Sequence, residues 1–275
     1  MIGGMLCQSI NINMTQNKRL LYLIEYLLAE GSQNSNIKIP ENREDRFRLF
    51  RSLVNVRPPK PVSGSFLSVQ NEFLRYEISQ KGITDVTSLT EVNNNIYLRF
   101  GDITTLKCGA VVNAANSGMT GCYYPCHTCI DNAIHTFSGV QLRMECADIM
   151  ERQGFAEPVG GAKVTKAYNL PCDYVIHTVG PIVSGQLTER HCKQLESCYK
   201  SCLEAAMKNK IDSIAFCCIS TGEFHFPNYE AAIIAVKTVK EFQIKNKIKV
   251  IFNVFKESDL QIYRNLLRQY KKTEK

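Results

Sequence analysis

"GAVVNAANS", residues 109–117, decides how this chain is read. It starts as an apolar run and ends on Asn113 and Asn116, where Ala or Val would pack more easily. A short, nearly continuous apolar run marks a strand covered on both faces, and the polar end marks the loop leaving it. The same texture recurs on both sides. Strands are expected at 96–100, 109–115, 162–168, 174–179, 214–220 and 249–255, separated by helical patterns at 130–153, 189–209, 228–246 and 258–272. This alternation implies an α/β fold, a mostly parallel sheet with helices on both faces. Ligands in such sheets bind beyond the carboxyl ends of the strands. Functional residues are therefore expected in "GDIT" (101–104), "NAANS" (113–117) and "STGEFHFP" (220–227), each of which follows a strand.

Upstream the texture differs. Residues 1–90 read as an N-terminal helical extension and 91–275 as the main domain. "NKRLLYLIEYLLAE" (17–30) is a helix with apolar residues on most faces. A second helix lies between Pro40 and Pro58-Pro59, and a third closes at Gly82, a natural helix cap. No motif in this extension carries chemistry.

Composition is that of a globular protein: 44% hydrophobic, 21% charged, without tryptophan. No apolar run reaches the roughly 18 residues of a membrane span. "LLYLIEYLLA" (20–29) is short, is interrupted by Glu25 and lacks a small-residue cleavage site, so neither a span nor an export signal is expected. Twelve cysteines invite a disulfide reading, but Cys198 and Cys202 lie at i,i+4 on one helix and Cys217-Cys218 are adjacent in an apolar run. These are small buried hydrophobes of a reducing compartment, and a cytoplasmic location is expected. The net charge of +7 is concentrated at the end, with ten Lys/Arg against four Asp/Glu from Lys240 onward. No aromatic-plus-basic stacking motif accompanies this run. It reads as a solvated terminal helix with cations near its C-terminal end, not as a nucleic-acid surface.

"GCYYPCHTC" (121–129) packs three cysteines and a histidine into nine residues. Cys122, His127 and Cys129 carry the spacing Cys-x4-His-x-Cys, with Cys126 as a spare donor. Three readings stand: three-ligand zinc with an open position, four-ligand closed zinc, and metal-free thiols. The absence of a second C-x2-C pair favours the first, the catalytic pattern in which the metal activates water or polarises a substrate oxygen. Asp131 follows on the first turn of a helix with apolar Ile130, Ala133, Ile134 and Phe137. There it could orient or deprotonate a water, or simply favour the helix dipole. His135 reads as a packed core residue. Ser220, Thr221 and Gly222 are small enough for a pyrophosphate to approach their backbone, although a capped helix start explains them too. Asp102 either caps a turn or accepts an exocyclic amine such as adenine N6 beside the Ile103 backbone. Asn116 suits a ribose hydroxyl or an Asx-turn.

Taken together, "GDIT" with Leu106, "VVNAANS", "IDNAIH", Gly139 with Gln141-Leu142 and Cys146, and "ISTG-F-FP--EAA" resemble the macrodomain family in order and spacing across residues 96–270. That family binds ADP-ribose, and some members hydrolyse ADP-ribosyl bonds. Where the hydrolysing branch has a glycine-rich loop, this chain has "GCYYPCHTC", similar to the zinc-containing macrodomains among protein-ADP-ribose hydrolases. The resemblance implies a three-layer α/β/α macrodomain with a mixed, mostly parallel sheet behind the helical extension. It implies a zinc-dependent hydrolase that removes mono-ADP-ribose from modified protein side chains, with a non-catalytic ADP-ribose reader as the alternative. On this reading Asp102 and Ile103 hold the adenine and Asn116 the distal ribose. Cys122, His127 and Cys129 bind Zn2+, and Ile130 and Asp131 line the distal ribose, with Asp131 and Asn116 catalytic. Ser220, Thr221, Gly222, Glu223 and Phe224 cradle the diphosphate, and Phe226 lies against the distal ribose. Two residues depart from the family: Glu223 brings a carboxylate to the diphosphate loop, where like charge weakens binding unless it turns to solvent, and His225 replaces a usual glycine.

Overall fold

The computed structural model describes residues 14–31 and 37–273. The first thirteen residues of the extension and the end of the basic run, Glu274 and Lys275, lie outside the described residues. Three helices come first: α1 (Gln16–Ala29), α2 (Arg43–Val56) and α3 (Gly64–Gln80). Each begins at a side-chain cap, from Thr15, Asn42 and Ser63 respectively, which accepts a backbone N–H of the first turn. There follow β1 (Thr84–Asp85), β2 (Glu91–Asn93), β3 (Ile96–Phe100), β4 (Leu106–Lys107) and β5 (Ala110–Ala115). Next come α4 (Ile130–Ser138), α5 (Val140–Gln153), β6 (Ala162–Lys166), β7 (Tyr174–Val179) and α6 (Glu189–Lys208). The chain finishes with β8 (Ser213–Phe216), α7 (Asn228–Gln243), β9 (Lys249–Val254) and α8 (Glu257–Thr273).

Seven strands form the sheet, in the order β2-β3-β9-β8-β5-β7-β6. The five inner strands are parallel, and only the edges, β2 on β3 and β6 on β7, are antiparallel. Helices on both faces complete a three-layer α/β/α arrangement, as the sequence implies. Because the inner strands run the same way, the loops after β3, β5, β7, β8 and β9 open on one rim. β1 and β4 make a separate two-stranded parallel ribbon. No helix among the described residues is long and apolar enough to cross a membrane.

Two expectations are corrected, and three short strands are added. The single helical pattern at 130–153 is two helices, because Gly139 has φ +95° and a Cβ there would meet Gln70 Nε2 at 2.6 Å. Apolar periodicity runs across this break and conceals it. The strand expected at 214–220 ends at Phe216. Thr221 turns back to donate to the Cys218 carbonyl, and Ser220 sits at φ +65°, a conformation no strand holds. The edge strand β2 and the β1–β4 ribbon are too short to leave a period in the sequence.

The N-terminal helices share one apolar core with the sheet: Leu20, Ile24, Phe50, Phe66 and Phe73 belong to the same buried cluster as Val111, Ile176, Ile214 and Val250. Each such side chain contributes about 1.5–3 kcal/mol through burial. Arg143 of α5 adds a polar tie. Its Nη1 donates to the carbonyls of Val54, Asn55 and Arg57 at the end of α2, at 3.1, 2.7 and 2.6 Å.

Candidate active site

The rim loops bring together most of the residues that the sequence singles out. β5 delivers Asn113 and, just past its end, Asn116. Asp131, on the first turn of α4, receives both amides: Asn113 Nδ2 donates to Asp131 Oδ1 at 2.8 Å and Asn116 Nδ2 to Oδ2 at 3.4 Å. Asp131 is only 4% exposed. Burial pushes its carboxyl up to about 6, against the opposing pull of the Asn113 hydrogen bond and the Arg143 charge. Asn116 also closes an Asx-turn, its Oδ1 accepting from Gly118 N at 2.9 Å, so the turn reading and the site reading describe one side chain.

The next loop carries the sulfur donors. One ligand atom from each of Cys122, His127 and Cys129 lies within 4.8 Å of the others. His127 Nδ1 faces Cys122 Sγ at 3.6 Å, and Nε2 faces the Glu223 carboxylate at 3.6 Å. Cys129 is the N-cap of α4, its Sγ accepting from Asn132 N at 3.4 Å. Burial pushes its thiol up to about 12. Cys126 stands apart: with φ +55° its thiol points back to the Arg48 carbonyl at 3.3 Å, and its N–H donates to Asn55 Oδ1 at 2.9 Å. Two thiols and an imidazole, half-buried and converging, fit zinc by donor chemistry and spacing. An imidazole whose second nitrogen faces a carboxylate is the usual arrangement of a metal-binding histidine.

This loop is held by the extension, a contribution that sequence reading missed. Arg51 of α2 donates to the His127 carbonyl at 2.7 Å and to Asn132 Oδ1 at 2.8 Å. Asn132 returns a bond to the Tyr124 carbonyl at 3.0 Å, and the Arg143 guanidinium lies 4.3 Å from the Tyr123 ring centroid. Contacts over such sequence separations leave no local signal.

The loop after β8 folds on itself. Phe226 N donates to the Ser220 carbonyl, His225 N to Gly222 and Val183 N to Phe224. These bonds leave the N–H groups of Gly222, Glu223 and Phe224 for an anion. A Cβ on Gly222 would meet nothing within 4 Å, so the approach there is open. Positive φ at Ser220 and His225 makes the tight turns, so the histidine in place of a glycine adopts the glycine-like conformation. Glu223 is largely exposed and turned to His127, away from the like-charge conflict expected of a carboxylate in this loop. Phe226, which the resemblance sets against the distal ribose, is 1% exposed and belongs to the core, where it anchors the loop.

Asp102 lies at the end of β3. Its Oδ1 accepts from Thr104 N and Oγ1 at 2.9 and 2.7 Å, and Lys81 Nζ sits 2.9 Å from Oδ2. Burial works against the charge, but the Lys81 and Thr104 bonds hold this carboxyl below its ordinary range. Ile103 beside it is 3% exposed. Phe255, immediately after β9, is 73% exposed on the same rim. The strand-end rule applied to 249–255 would have found it. His135 is buried as expected, though neither ring nitrogen has a hydrogen-bond partner and Nε2 lies 3.5 Å from Asp131 Oδ1.

Comparison with known proteins agrees with this fold. The Macro domain family model matches residues 112–235. A protein-ADP-ribose hydrolase of Treponema medium is 54% identical over 92% of this chain and 100% of its own length. The protein of the same name from Staphylococcus aureus (strain MSSA476) is 46% identical over 90% of this chain and 94% of its own. Among solved structures, the Trypanosoma brucei macrodomain in complex with ADP-ribose superposes with a TM-score of 0.61 at 28% identity, covering 79% of this chain and 94% of that one. The chain belongs to the protein-ADP-ribose hydrolase branch of the macrodomain family.

Proposed function

We propose that this protein is a zinc-dependent ADP-ribosylhydrolase that removes mono-ADP-ribose from modified protein side chains. One observation carries the reading: three soft or borderline donors converge within 4.8 Å at the start of α4, whose first turn presents Asp131 bonded to both Asn113 and Asn116. A reader of ADP-ribose needs no such donor set beside a buried carboxylate.

Cys122, His127 and Cys129 would hold the metal, which supplies Lewis-acid polarisation of ligand oxygens. The remaining work falls to the chain. Asp102 accepts the adenine amine, with the Ile103 backbone beside it, and exposed Phe255 offers a ring on which the base stacks. The N–H groups of Gly222, Glu223 and Phe224 take the diphosphate. Asn116 and Ile130 border the distal ribose. Asp131 orients the attacking water and takes its proton as the water oxygen bonds to the ribose carbon. The bond to the side chain breaks, and the proton passes to the departing side chain, restoring the carboxylate.

We infer that residues 91–275 form the ADP-ribose-binding unit and residues 1–90 the extension that braces its metal loop. All described cysteines are free, which supports a reducing, cytoplasmic location. The test uses the full chain: incubate it with a mono-ADP-ribosylated protein and measure released ADP-ribose and bound zinc in one sample. Release with about one zinc per chain, both lost in Cys122→Ala, is the expected result. Asp131→Ala keeps the zinc and loses release. Full turnover after verified zinc removal sinks the metal role, and tight ADP-ribose binding without release makes the protein a reader.

A further inference from the structure

Behind Asp131 lies a buried polar chain crossing three adjacent strands. Asn113 of β5 stands opposite His177 of β7, and Thr165 of β6 lies beside it. Asn113 Nδ2 is 2.8 Å from Asp131 Oδ1 and 3.1 Å from His177 Nδ1, while His177 Nε2 is 2.9 Å from Thr165 Oγ1. Asn113 and His177 are fully buried, and Thr165 is 2% exposed. We propose that His177, with Thr165, is a positioning residue for Asp131: the pair fixes which way the Asn113 amide points, and so where the carboxylate sits.

The argument is one of donors and acceptors. A carboxylate only accepts, so Asn113 must turn its NH2 toward Asp131. That group has two hydrogens, and the second goes to His177 Nδ1, which must then be the unprotonated nitrogen. The ring proton is therefore on Nε2, where Thr165 Oγ1 receives it, and the Thr165 hydroxyl hydrogen is directed to the Val175 carbonyl at 3.4 Å. Every group in the chain has one consistent role. Reversing the amide would set its oxygen against both the carboxylate and the ring nitrogen. Asn113 Oδ1 has no partner, so nothing on that side holds the orientation. Burial depresses the His177 ring to about 3, which keeps it neutral and able to accept. Ligand atoms of His135, Cys146 and His177 also lie within 4.8 Å of one another. Both nitrogens of His177 are already engaged in hydrogen bonds, so the cluster reads as a hydrogen-bonded chain and not as a second metal site.

The inference rests on the hydrolase reading for its kinetic consequence, but not for its geometry. The experiment combines nitrogen-15 NMR of the histidine rings with kinetics of ADP-ribose release from a mono-ADP-ribosylated protein by His177→Phe, His177→Asn and Thr165→Val. Asn can place an acceptor where Nδ1 was, Phe cannot, and Val keeps the volume of Thr without its acceptor. The wild-type ring is expected as the Nε2–H tautomer, with Thr165→Val shifting it toward Nδ1–H. His177→Phe should lower kcat about 10–100-fold, the range of partners that orient a reacting group. Its KM and its ADP-ribose Kd should stay within about threefold, and His177→Asn should recover most of the loss. An Nδ1–H tautomer in the wild type overturns the proposal, as does wild-type kcat in folded His177→Phe, equal loss in the Phe and Asn variants, or a second zinc lost with His177. If the wild type binds ADP-ribose and releases none, the hydrolase reading fails separately and the tautomer alone decides the orientation.

Discussion

Replacing Cys129 by serine separates two jobs that one atom performs. Its Sγ caps α4 by accepting from Asn132 N at 3.4 Å, and it is one of the three converging donors proposed to hold the metal. Serine is a preferred N-cap, and good caps contribute about 1 kcal/mol, so metal-free Cys129→Ser should match the wild type or exceed it by up to about that amount. For a domain of this size that is a rise of about 2–4 °C in Tm. Zinc behaves oppositely. Free metal at about 100 times its Kd stabilises the wild type by about 2.7 kcal/mol, or roughly 5–11 °C. A serine hydroxyl is a poor zinc ligand, so the variant, left with two good donors, should show less than about a third of that shift. Calorimetric melting of both proteins, with chelator and in buffered zinc, gives four curves that decide the matter. An undiminished zinc shift in Cys129→Ser refutes the ligand assignment. A metal-free variant that loses more than about 1 kcal/mol refutes the cap argument.

Other expectations follow from single contacts. Arg51→Ala removes charged hydrogen bonds to the His127 carbonyl and Asn132, so it should lose about 1.5–3 kcal/mol in thermal stability and release zinc more readily to a competing chelator. Unchanged zinc retention would show that α2 does not hold the loop. Asp102→Asn should weaken ADP-ribose binding about tenfold, equivalent to about 1.4 kcal/mol, while leaving a ribose phosphate lacking adenine unaffected in the same titration. Because the folded carboxyl lies below its ordinary range, its contribution to stability is present above the unfolded value and fades as pH falls below about 4. The Tm gap between wild type and Asp102→Asn should therefore narrow on acidification, and a widening gap would contradict the ion pair. Gly180→Ala brings a Cβ against Ser220 Oγ and close to Ile219, so either that hydroxyl rotates or the diphosphate loop shifts. ADP-ribose titration should show at least about fivefold weaker binding, a loss of about 1 kcal/mol.

Strand ends were legible because a buried strand followed by small polar residues is a local pattern. That pattern places Asp102, Asn116 and the 220–224 loop on one rim, each just past a strand. The donor triplet was legible from composition, and the structure adds why Cys126 stands outside it: a positive φ turns the thiol toward α2. Lys81, Arg51 and Asn55 were not legible, since each reaches the rim loops from a helix far upstream and carries no motif. His177 left a fainter trace, a histidine inside the apolar strand "YVIHTV". Its partner Asn113 lies 64 residues away, and only the register of β5 against β7 pairs them.

The donor loop is not a portable cassette. Its backbone is tied to Asn55 and Arg51, and its Cys126 thiol to the Arg48 carbonyl, 71 to 78 residues upstream of the atoms they hold. Grafting "GCYYPCHTC" onto a macrodomain that lacks these helices would transfer the donors without the frame that makes them converge. A change at Arg51 would therefore disturb the proposed metal site without removing a ligand from it, because the loop and the helix that frames it work as one unit.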